Sequence, residues 1–257
     1  MTNNGCCRSV SCHRSLVISY MFLDTILNLI FPSLCLNCRN NVKSGDVVCD
    51  KCFEAIPINQ TLFCGKCRAR LPDGKKICHK DSKFILGSAS GYDNDAVKNL
   101  IHGLKFQYLR SAAAPLGELI IRYFTNLKLS TFNFTVIPLP LSSERLRKRG
   151  FNQSELIAEV FARHFSLPMD KNCLTRIKNT KPQSDTKNLR ERRENVSGCF
   201  AVKNPEAACG EPRRTVRGGN IILIDDVITS GATVSEAASA LKSAGAKKVL
   251  VLTAAKA

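Results

Sequence analysis

The segment from residue 221 to residue 252 constrains the fold of this chain more strongly than any other part of the sequence. Residues 221–224 are all apolar and mostly β-branched, which is typical of a central parallel strand buried on both faces. A turn of small residues at 229–233 then begins a helix that we expect to end near Ser243, before a second apolar strand at 249–252. This strand–helix–strand order predicts a parallel sheet with a right-handed crossover.

Two adjacent carboxylates, Asp225 and Asp226, follow the first of these strands directly. Ligands of open parallel sheets bind beyond the carboxyl ends of the strands, and backbone amides at a helix N-terminus favour a phosphate there. The two acids can accept hydrogen bonds from vicinal sugar hydroxyls, so the segment predicts a site for a ribose 5-phosphate. The alternative is that the acids only cap the helix. The expected phosphate-binding residues, which are small or carry a hydroxyl, are Thr229, Ser230, Gly231, Ala232 and Thr233.

Seven of the thirteen cysteines form a repeat of C-x-x-C pairs with an offset of 29 residues. Two such pairs supply four thiolates, the ligand set of a closed, structural zinc site. The second unit has only three thiols, and we expect either Asp81 or His79 to complete it. Pairing of ligands across the two units is the alternative that spacing leaves open. The predicted ligands are Cys35, Cys38, Cys49 and Cys52 in the first unit, and Cys64, Cys67 and Cys78 in the second.

The remaining pattern divides the chain into three parts. We expect an N-terminal extension with an amphipathic helix at 1–30, a zinc-binding domain at 31–83 and an α/β domain at 84–257. Strands are predicted at 84–91 and 134–137, helices at 96–104, 112–126 and 151–166, and a long mobile loop at 178–198. No apolar run reaches the roughly 18 residues that cross a bilayer, so we expect a cytoplasmic protein without membrane insertion.

Charge predicts an anionic partner. The chain carries 38 Lys and Arg against 21 Asp and Glu, a net charge of +17, which favours nucleic acid or phosphorylated small molecules. Between residues 141 and 193 there are 13 basic and 6 acidic residues. Such a surface can hold a DNA backbone, or it can serve only the phosphates of a small ligand. Tryptophan is absent, so stacking of single-stranded bases has little support in composition.

Several motifs together resemble the ComF family of competence proteins. The segment LIDDVITSGAT at 223–233 is similar to the phosphoribosyl-pyrophosphate (PRPP) signature of type I phosphoribosyltransferases. The other matching motifs are PLPLS at 138–142, RLRKRGFNQ at 145–153, PQ at 182–183 and ERRENV at 191–196. The resemblance implies a phosphoribosyltransferase-like parallel sheet with helices on both faces, preceded by the small cysteine-rich zinc-binding domain. It also implies PRPP, single-stranded DNA and the DNA-uptake machinery of natural transformation as partners.

The resemblance also implies roles for single residues. Asp225 and Asp226 would bind the ribose hydroxyls and form the catalytic pair of an active enzyme, and the turn at 229–233 would hold the 5-phosphate. Arg147 and Arg149 would supply positive charge near the pyrophosphate, with Mg²⁺ bridging the ligand oxygens. Arg192 would lie on a mobile loop that closes over the ligand. Lys105 and Asn152 match positions for which the residues alone predict no role.

Two functions follow from these expectations. In the first, the protein handles incoming DNA and uses the PRPP site as a sensor or scaffold. In the second, it is a phosphoribosyltransferase, a glycosyltransferase-class enzyme that transfers phosphoribose to an unknown acceptor in nucleotide salvage. A zinc-finger transcription factor is disfavoured, because the cysteine pairs are not followed by a recognition helix.

Overall fold

A five-stranded sheet lies at the centre of the computed structural model, which describes residues 32–71, 78–178, 197–203 and 216–257. The predicted extension at 1–30 and most of the predicted loop at 178–198, with Arg192, lie outside the described residues. The strands are β1 (Phe63–Cys64), β2 (Ile85–Gly91), β3 (Phe134–Pro138), β4 (Leu174–Arg176), β5 (Phe200–Val202), β6 (Asn220–Ile228) and β7 (Lys248–Lys256). The sheet order is β1-β2-β7-β6-β3, and β4 pairs with β5 in a separate hairpin.

The central strands are parallel, as the sequence predicts. β7 pairs in parallel with both β2 and β6, and β6 pairs in parallel with β3, whereas β1 joins the edge of the sheet antiparallel to β2. β6 extends beyond the predicted apolar run, because its pairing with β7 continues from Asp225 opposite Thr253 to Ile228 opposite Lys256. The two acids therefore lie within the strand and not after it.

Helices cover both faces of the sheet, which confirms the predicted fold class. Ile222 and Ile224 of β6 belong to one apolar core and Ile221 and Leu223 to another, since successive strand residues face opposite sides. The helices are α1 (Asp50–Glu54), α2 (Asp95–Phe106), α3 (Ala113–Asn126), α4 (Ser143–Arg149), α5 (Gln153–His164) and α6 (Ala232–Ser243). Helices α2, α3 and α5 pack in the first of these cores, and α6 packs in the second.

Helix α4 was not predicted, because the sequence pattern assigned no element between 137 and 151. Its ends follow ordinary capping chemistry: the Ser142 hydroxyl accepts a hydrogen bond from the Arg145 amide, and Gly150 ends the helix at a φ of 77°. The helix thus presents the basic run at 145–149 on a regular scaffold. No helix within the described ranges is both long and apolar enough to cross a membrane.

The two cysteine units begin with the same kind of bridge but have different attachments. We call residues 34–56 the first cysteine module and residues 62–82 the second. Each begins with an antiparallel bridge, Leu34 to Asn41 in the first and Phe63 to Arg70 in the second. The first module contacts α2, where the Asn99 amide donates to Asn37 Oδ1 over 3.3 Å. The second supplies β1 and so continues the central sheet.

Candidate ligand cleft and metal centres

A cleft of about 510 Å³ opens at the carboxyl ends of β3 and β6. This is where an open parallel sheet offers a ligand site, because the loops that follow the strands diverge there. Helices α2, α4, α5 and α6 and strands β4 and β6 contribute polar side chains to its wall. The lining residues around the predicted ribose phosphate site include Lys105, Ser154, Asp225, Asp226, Thr229 and Gly231.

Asp225 lies at the inner end of the cleft and is only 8% exposed. Its Oδ1 accepts hydrogen bonds from the Ser154 hydroxyl on α5 and from the Asp226 amide, both over 2.9 Å. Burial, followed by the neighbouring Asp226 carboxylate, raises the pKa of Asp225 to about 8. Its carboxyl therefore holds a proton near neutral pH until a ligand or a cation changes its surroundings.

Asp226 is paired with a lysine that the sequence singled out without a role. Lys105 Nζ, from the last turn of α2, lies 2.7 Å from Asp226 Oδ2. The side chains are 19% and 2% exposed, so the ion pair is largely shielded from water. Oδ2 has no aligned hydrogen-bond donor among the described residues, whereas Oδ1 accepts from the Val227 amide. The lysine thus compensates the charge of a carboxylate whose Oδ2 is buried.

The predicted phosphate turn joins β6 to α6. Gly231 has a φ of 68° and precedes the first residue of the helix, so the turn needs a residue that tolerates the left-handed region. Thr229, Gly231 and Thr233 line the cleft. The other two predicted residues, Ser230 and Ala232, lie in the same turn but are not among the lining residues. The turn therefore offers backbone amides and the N-terminus of α6 to an anion.

Basic side chains of α4 and β4 also line the cleft. Of the two arginines predicted to lie near a pyrophosphate, Arg149 lines the cleft, whereas Arg147 is exposed on α4 and does not line it. Burial lowers the pKa of Arg149. Three further cations line the cleft without having been assigned to a ligand from the sequence: Arg145 and Lys148 of α4, and Arg176 of β4. Arg176 comes from a hairpin that no sequence pattern indicated.

Asn152 has a structural role. Its side-chain oxygen accepts a hydrogen bond from the Ser154 amide over 3.2 Å and so caps α5, while its side-chain amide donates to the Leu139 carbonyl over 3.1 Å. These two bonds connect the start of α5 to the loop after β3. Asn152 thereby positions Ser154 against Asp225.

The first cysteine module brings four thiols together. The sulfurs of Cys35, Cys38, Cys49 and Cys52 all lie within 4.8 Å of one another, and those of Cys38 and Cys49 are 3.6 Å apart. Tetrahedral zinc with bonds of about 2.3 Å places its sulfurs about 3.8 Å apart, so the donor set fits zinc. Because the four sulfurs of one module already lie together, the geometry favours ligands within one module over ligands paired across the two units.

The second cysteine module is completed by His79. Its Nδ1 lies 3.1 Å from Cys78 Sγ and 3.5 Å from Cys64 Sγ, within a group that also contains Cys67. Asp81, the other candidate, instead pairs with Lys66 over 2.5 Å. Three thiolates and one imidazole are a common ligand set for structural zinc.

The local backbone favours thiolates in both modules. Burial by itself raises the pKa of Cys35, but backbone amides at Cys38 and Cys49 hydrogen-bond the sulfur and lower it to about 6. The pKa of Cys64 is lowered to about 6 in the same way, with the Cys67 amide as the main donor. Metals bind deprotonated sulfur, so Cys35 and Cys64 are the thiols whose backbone surroundings favour a bound cation.

One contact joins the second module to the cleft. Arg68, which directly follows Cys67, donates from Nη1 to the Thr229 carbonyl. Its guanidinium occupies the space beside Gly231, where Cζ would lie 2.9 Å from a Cβ on that residue. Sequence reasoning missed Arg68, because 161 residues separate it from Thr229 and no local pattern marks the contact.

Two domain families match the chain. The double zinc ribbon domain matches residues 26–82, and the phosphoribosyl transferase domain matches residues 153–257. These matches and the two ligand clusters support structural zinc in the N-terminal part of the chain.

Curated relatives match most of the chain. The DNA utilization protein YhgH of Escherichia coli O157:H7 is 30% identical over 235 residues, covering 87% of this chain and 96% of the relative. Competence protein ComFC of Bacillus subtilis is 32% identical over 225 residues, covering 82% and 79%. Competence protein F of Haemophilus influenzae is 28% identical over 237 residues, covering 86% and 96%.

Proposed function

This chain belongs to the ComF family of competence proteins, and from that premise we propose that it binds PRPP and single-stranded DNA and acts in the uptake or use of incoming DNA. Its relatives are named for competence and for DNA utilization. The observation that carries the proposal is the buried pair Asp225 and Asp226 beside a small-residue turn, in a cleft of about 510 Å³. Interaction with the DNA-uptake machinery of the cytoplasm belongs to the same proposal.

Different residues of the cleft would bind different groups of the ligand. The turn at 229–233 would hold the 5-phosphate on its amides, and Asp225 and Asp226 would accept hydrogen bonds from the ribose hydroxyls. Arg149 and its basic neighbours on α4 would face the pyrophosphate. The two carboxylates also suit Mg²⁺, which prefers oxygen ligands and, when bound with PRPP, would neutralise the charge of the pyrophosphate.

Calorimetric titration with PRPP and Mg²⁺ tests the small-molecule part. We expect the wild type to bind, and Asp225→Asn together with Asp226→Asn to weaken binding by about tenfold or more, since hydrogen bonds to charged groups contribute about 1.5–3 kcal/mol. Asp46→Asn, at an exposed acid of the first module, is the matched control and should bind as the wild type does. Absence of binding by well-folded wild-type protein would contradict the proposal.

The mouth of the cleft supports the DNA part. Phe106 and Tyr108 line the cleft and are 63% and 48% exposed, next to the cations of α4. Exposed aromatic rings beside a basic surface are the usual combination in single-strand binding, because bases stack while the cations contact phosphates. Composition alone gave little support for stacking, since two aromatics among so many residues carry no signal until their exposure is known.

Binding of a short oligothymidine tests the DNA part. Phe106→Ala with Tyr108→Ala should weaken it by about tenfold, because stacking on one aromatic contributes about 1–3 kcal/mol per base. Phe132→Ala is the control, since this ring is 76% exposed but precedes β3 at the other end of the sheet. Arg147→Ala with Arg149→Ala should reduce the salt dependence of binding. Equal affinity of the wild type and both variant pairs would refute the DNA part.

A catalytic phosphoribosyltransferase is the second candidate. The observation in its favour is the pKa of Asp225, which at about 8 lets this carboxyl hold and release a proton near neutral pH. Incubation with PRPP, Mg²⁺ and a panel of nucleobases should then release pyrophosphate at a rate that Asp225→Asn abolishes. If the wild type releases pyrophosphate no faster than that variant, the catalytic function is contradicted and the DNA-handling function remains.

A further inference from the structure

Arg68 lies at the turn that we assign to the 5-phosphate. Its guanidinium donates to the Thr229 carbonyl and lies over Gly231, the residue that precedes α6. The amides at the N-terminus of a helix favour an anion, and Arg68 adds a cation beside them. The guanidinium is also the group that matches phosphate best, through two parallel N–H donors. The position of Arg68 therefore suits a phosphate ligand.

The two cysteine modules carry an arginine at equivalent positions, and the two arginines can be compared. Arg39 follows Cys38 in the first module as Arg68 follows Cys67 in the second, and both have left-handed backbones, with φ of 65° and 62°. Arg39 is exposed, whereas Arg68 is half-buried beside Thr229 and Gly231, two residues that line the cleft. The same residue in the same turn thus reaches the phosphate turn in only one module, because only the second module continues the sheet beside β2.

The cysteine module holds the backbone of Arg68 in place. The Arg68 amide donates to the Cys64 carbonyl over 2.9 Å, and the Cys64 amide donates to the Ala69 carbonyl over 2.9 Å. Gly65 lies against the start of β2, since a Cβ there would overlap the Phe84 carbonyl and lie 2.9 Å from Ser82 Oγ. Cys64, Cys67, Cys78 and His79 would hold a cation that closes this turn into a rigid unit.

We propose that Arg68 is a phosphate-binding residue of the cleft, supplied by the second cysteine module, so that metal bound in this module raises affinity for phosphorylated ribose. The inference rests on the proposed PRPP site and assigns it a ligand from outside the phosphoribosyltransferase match at 153–257. When the ligand binds, the guanidinium gives up its hydrogen bond to the Thr229 carbonyl and donates instead to the 5-phosphate oxygens. The two domains are thereby coupled through one side chain.

Calorimetry on the zinc-loaded full chain tests the assignment, with ribose 5-phosphate and PRPP as ligands in the presence of Mg²⁺. Arg68→Ala should weaken the binding of both by about tenfold or more, and Arg68→Lys should restore part of the loss. Arg39→Ala, the same residue at the equivalent turn, should leave both affinities unchanged. Arg149→Ala should weaken PRPP more than ribose 5-phosphate, because it faces the pyrophosphate.

The outcomes separate this inference from the proposed function. If wild-type protein binds neither ligand, the PRPP site itself is wrong. If the wild type binds and Arg68→Ala binds equally well or better, Arg68 is not a ligand and only the present inference fails. Equal losses in Arg68→Ala and Arg39→Ala would show a general effect of charge and would also overturn it.

A second measurement tests the metal coupling. Cys67→Ser with Cys78→Ser removes two ligands of the second module, and Cys38→Ser with Cys49→Ser is the matched change in the first. We expect ribose 5-phosphate affinity to fall to that of Arg68→Ala in the former and to fall clearly less in the latter, at temperatures where thermal unfolding shows both to be folded. Identical affinities in the two double variants would overturn the coupling.

Discussion

Burial gives the two adjacent aspartates different chemistry. Asp225 is hydrogen-bonded to Ser154 and has a raised pKa, whereas Asp226 is ion-paired with Lys105. One site therefore combines a carboxyl that favours its protonated form with a carboxylate held by a cation. Environments that separate two neighbouring acids in this way are typical of sites that bind or transform a ligand.

At the residue scale, the pKa of Asp225 predicts a dependence of stability on pH. Unfolded aspartate has a pKa of about 3.9, so the unfolded chain releases a proton that the folded chain retains up to about pH 8. The stabilisation that the folded chain gains from this proton is complete below about pH 4 and is lost as the pH rises through about 8. Asp225→Asn should therefore be more stable than the wild type at pH 8 by more than about 1 kcal/mol, with a smaller difference at pH 5. Urea denaturation at both pH values checks this; a difference independent of pH would contradict it.

The Lys105–Asp226 pair makes a second prediction at this scale. Lys105→Met leaves the Asp226 carboxylate buried without its cation, which should lower the free energy of unfolding by about 3 kcal/mol. Adding Asp226→Asn in the same chain should recover most of the loss, because no buried charge is then left unpaired. Lys98→Met, at an exposed lysine of α2, is the control. Denaturant midpoints measure all four proteins, and equal losses in the two lysine variants would refute the prediction.

The sequence predicted that both acids and the turn at 229–233 belong to one site, because strand, acids and turn are contiguous, and the acids and part of the turn line one cleft. It did not identify their partners. Ser154 lies 71 residues from Asp225, and Arg68 lies 161 residues from Thr229. Contacts at such separations depend on how helices and modules pack on the sheet, and no local pattern encodes that packing. His79 and Asp81 were equally good ligands by spacing; the position of His79 among the three sulfurs and the pairing of Asp81 with Lys66 distinguish them.

At the scale of elements, α3 and α5 approach closely at Gly117. A Cβ on this residue would lie 2.6 Å from Cγ1 and 2.7 Å from Cβ of Val160. Two helices can lie this close because glycine has no side chain, and the Val160 Cβ cannot rotate away. The contact connects α5, which carries Ser154, to the core of the domain.

Gly117→Ala is therefore expected to destabilise the protein. Alanine favours a helix by about 1 kcal/mol, but overpacking in a core costs about 1–3 kcal/mol, and here the steric cost should dominate. Combining it with Val160→Ala should reduce the cost of the glycine substitution. Gly103→Ala in α2 is the matched control, because its Cβ would meet only the end of the flexible Leu36 side chain. Thermal unfolding compares the set, and a stabilised Gly117→Ala would contradict the prediction.

Predicted elements were found where periodicity is strong. α2 and α3 have regular apolar faces, and both were predicted close to their observed bounds. α4 and the β4–β5 hairpin were missed, since α4 has no buried residue and the hairpin strands have three residues each. Short or fully exposed elements lack the apolar repeat from which a sequence prediction is made.

On the scale of the whole molecule, the cysteine modules and the sheet form one packed unit. Cys64, a predicted metal ligand, is itself a residue of the edge strand β1, and the Tyr123 hydroxyl of α3 donates to the Thr61 carbonyl over 2.7 Å. Partly buried Leu36 of the first module also packs on the main core. Unfolding of either module should therefore destabilise the sheet as well.

Metal removal tests this integration. Treatment with a strong zinc chelator should lower the unfolding temperature of the whole chain in one transition, because the modules share a core and a strand with the sheet. Differential scanning calorimetry, with far-ultraviolet circular dichroism as the second probe, measures it. Readdition of zinc should restore the original transition. Two separate transitions, with the sheet unaffected by the chelator, would refute the expectation.

The position of β7 has a consequence for how the protein is made. β7 lies between β2 and β6, yet β2 leaves the ribosome about 160 residues before β7 is synthesised. At roughly 5–20 residues per second, the nascent chain waits about 8 to 30 s for its central strand. The cysteine modules emerge first and can take up zinc during this interval. Interrupted translation should therefore release fragments that carry metal but lack the sheet.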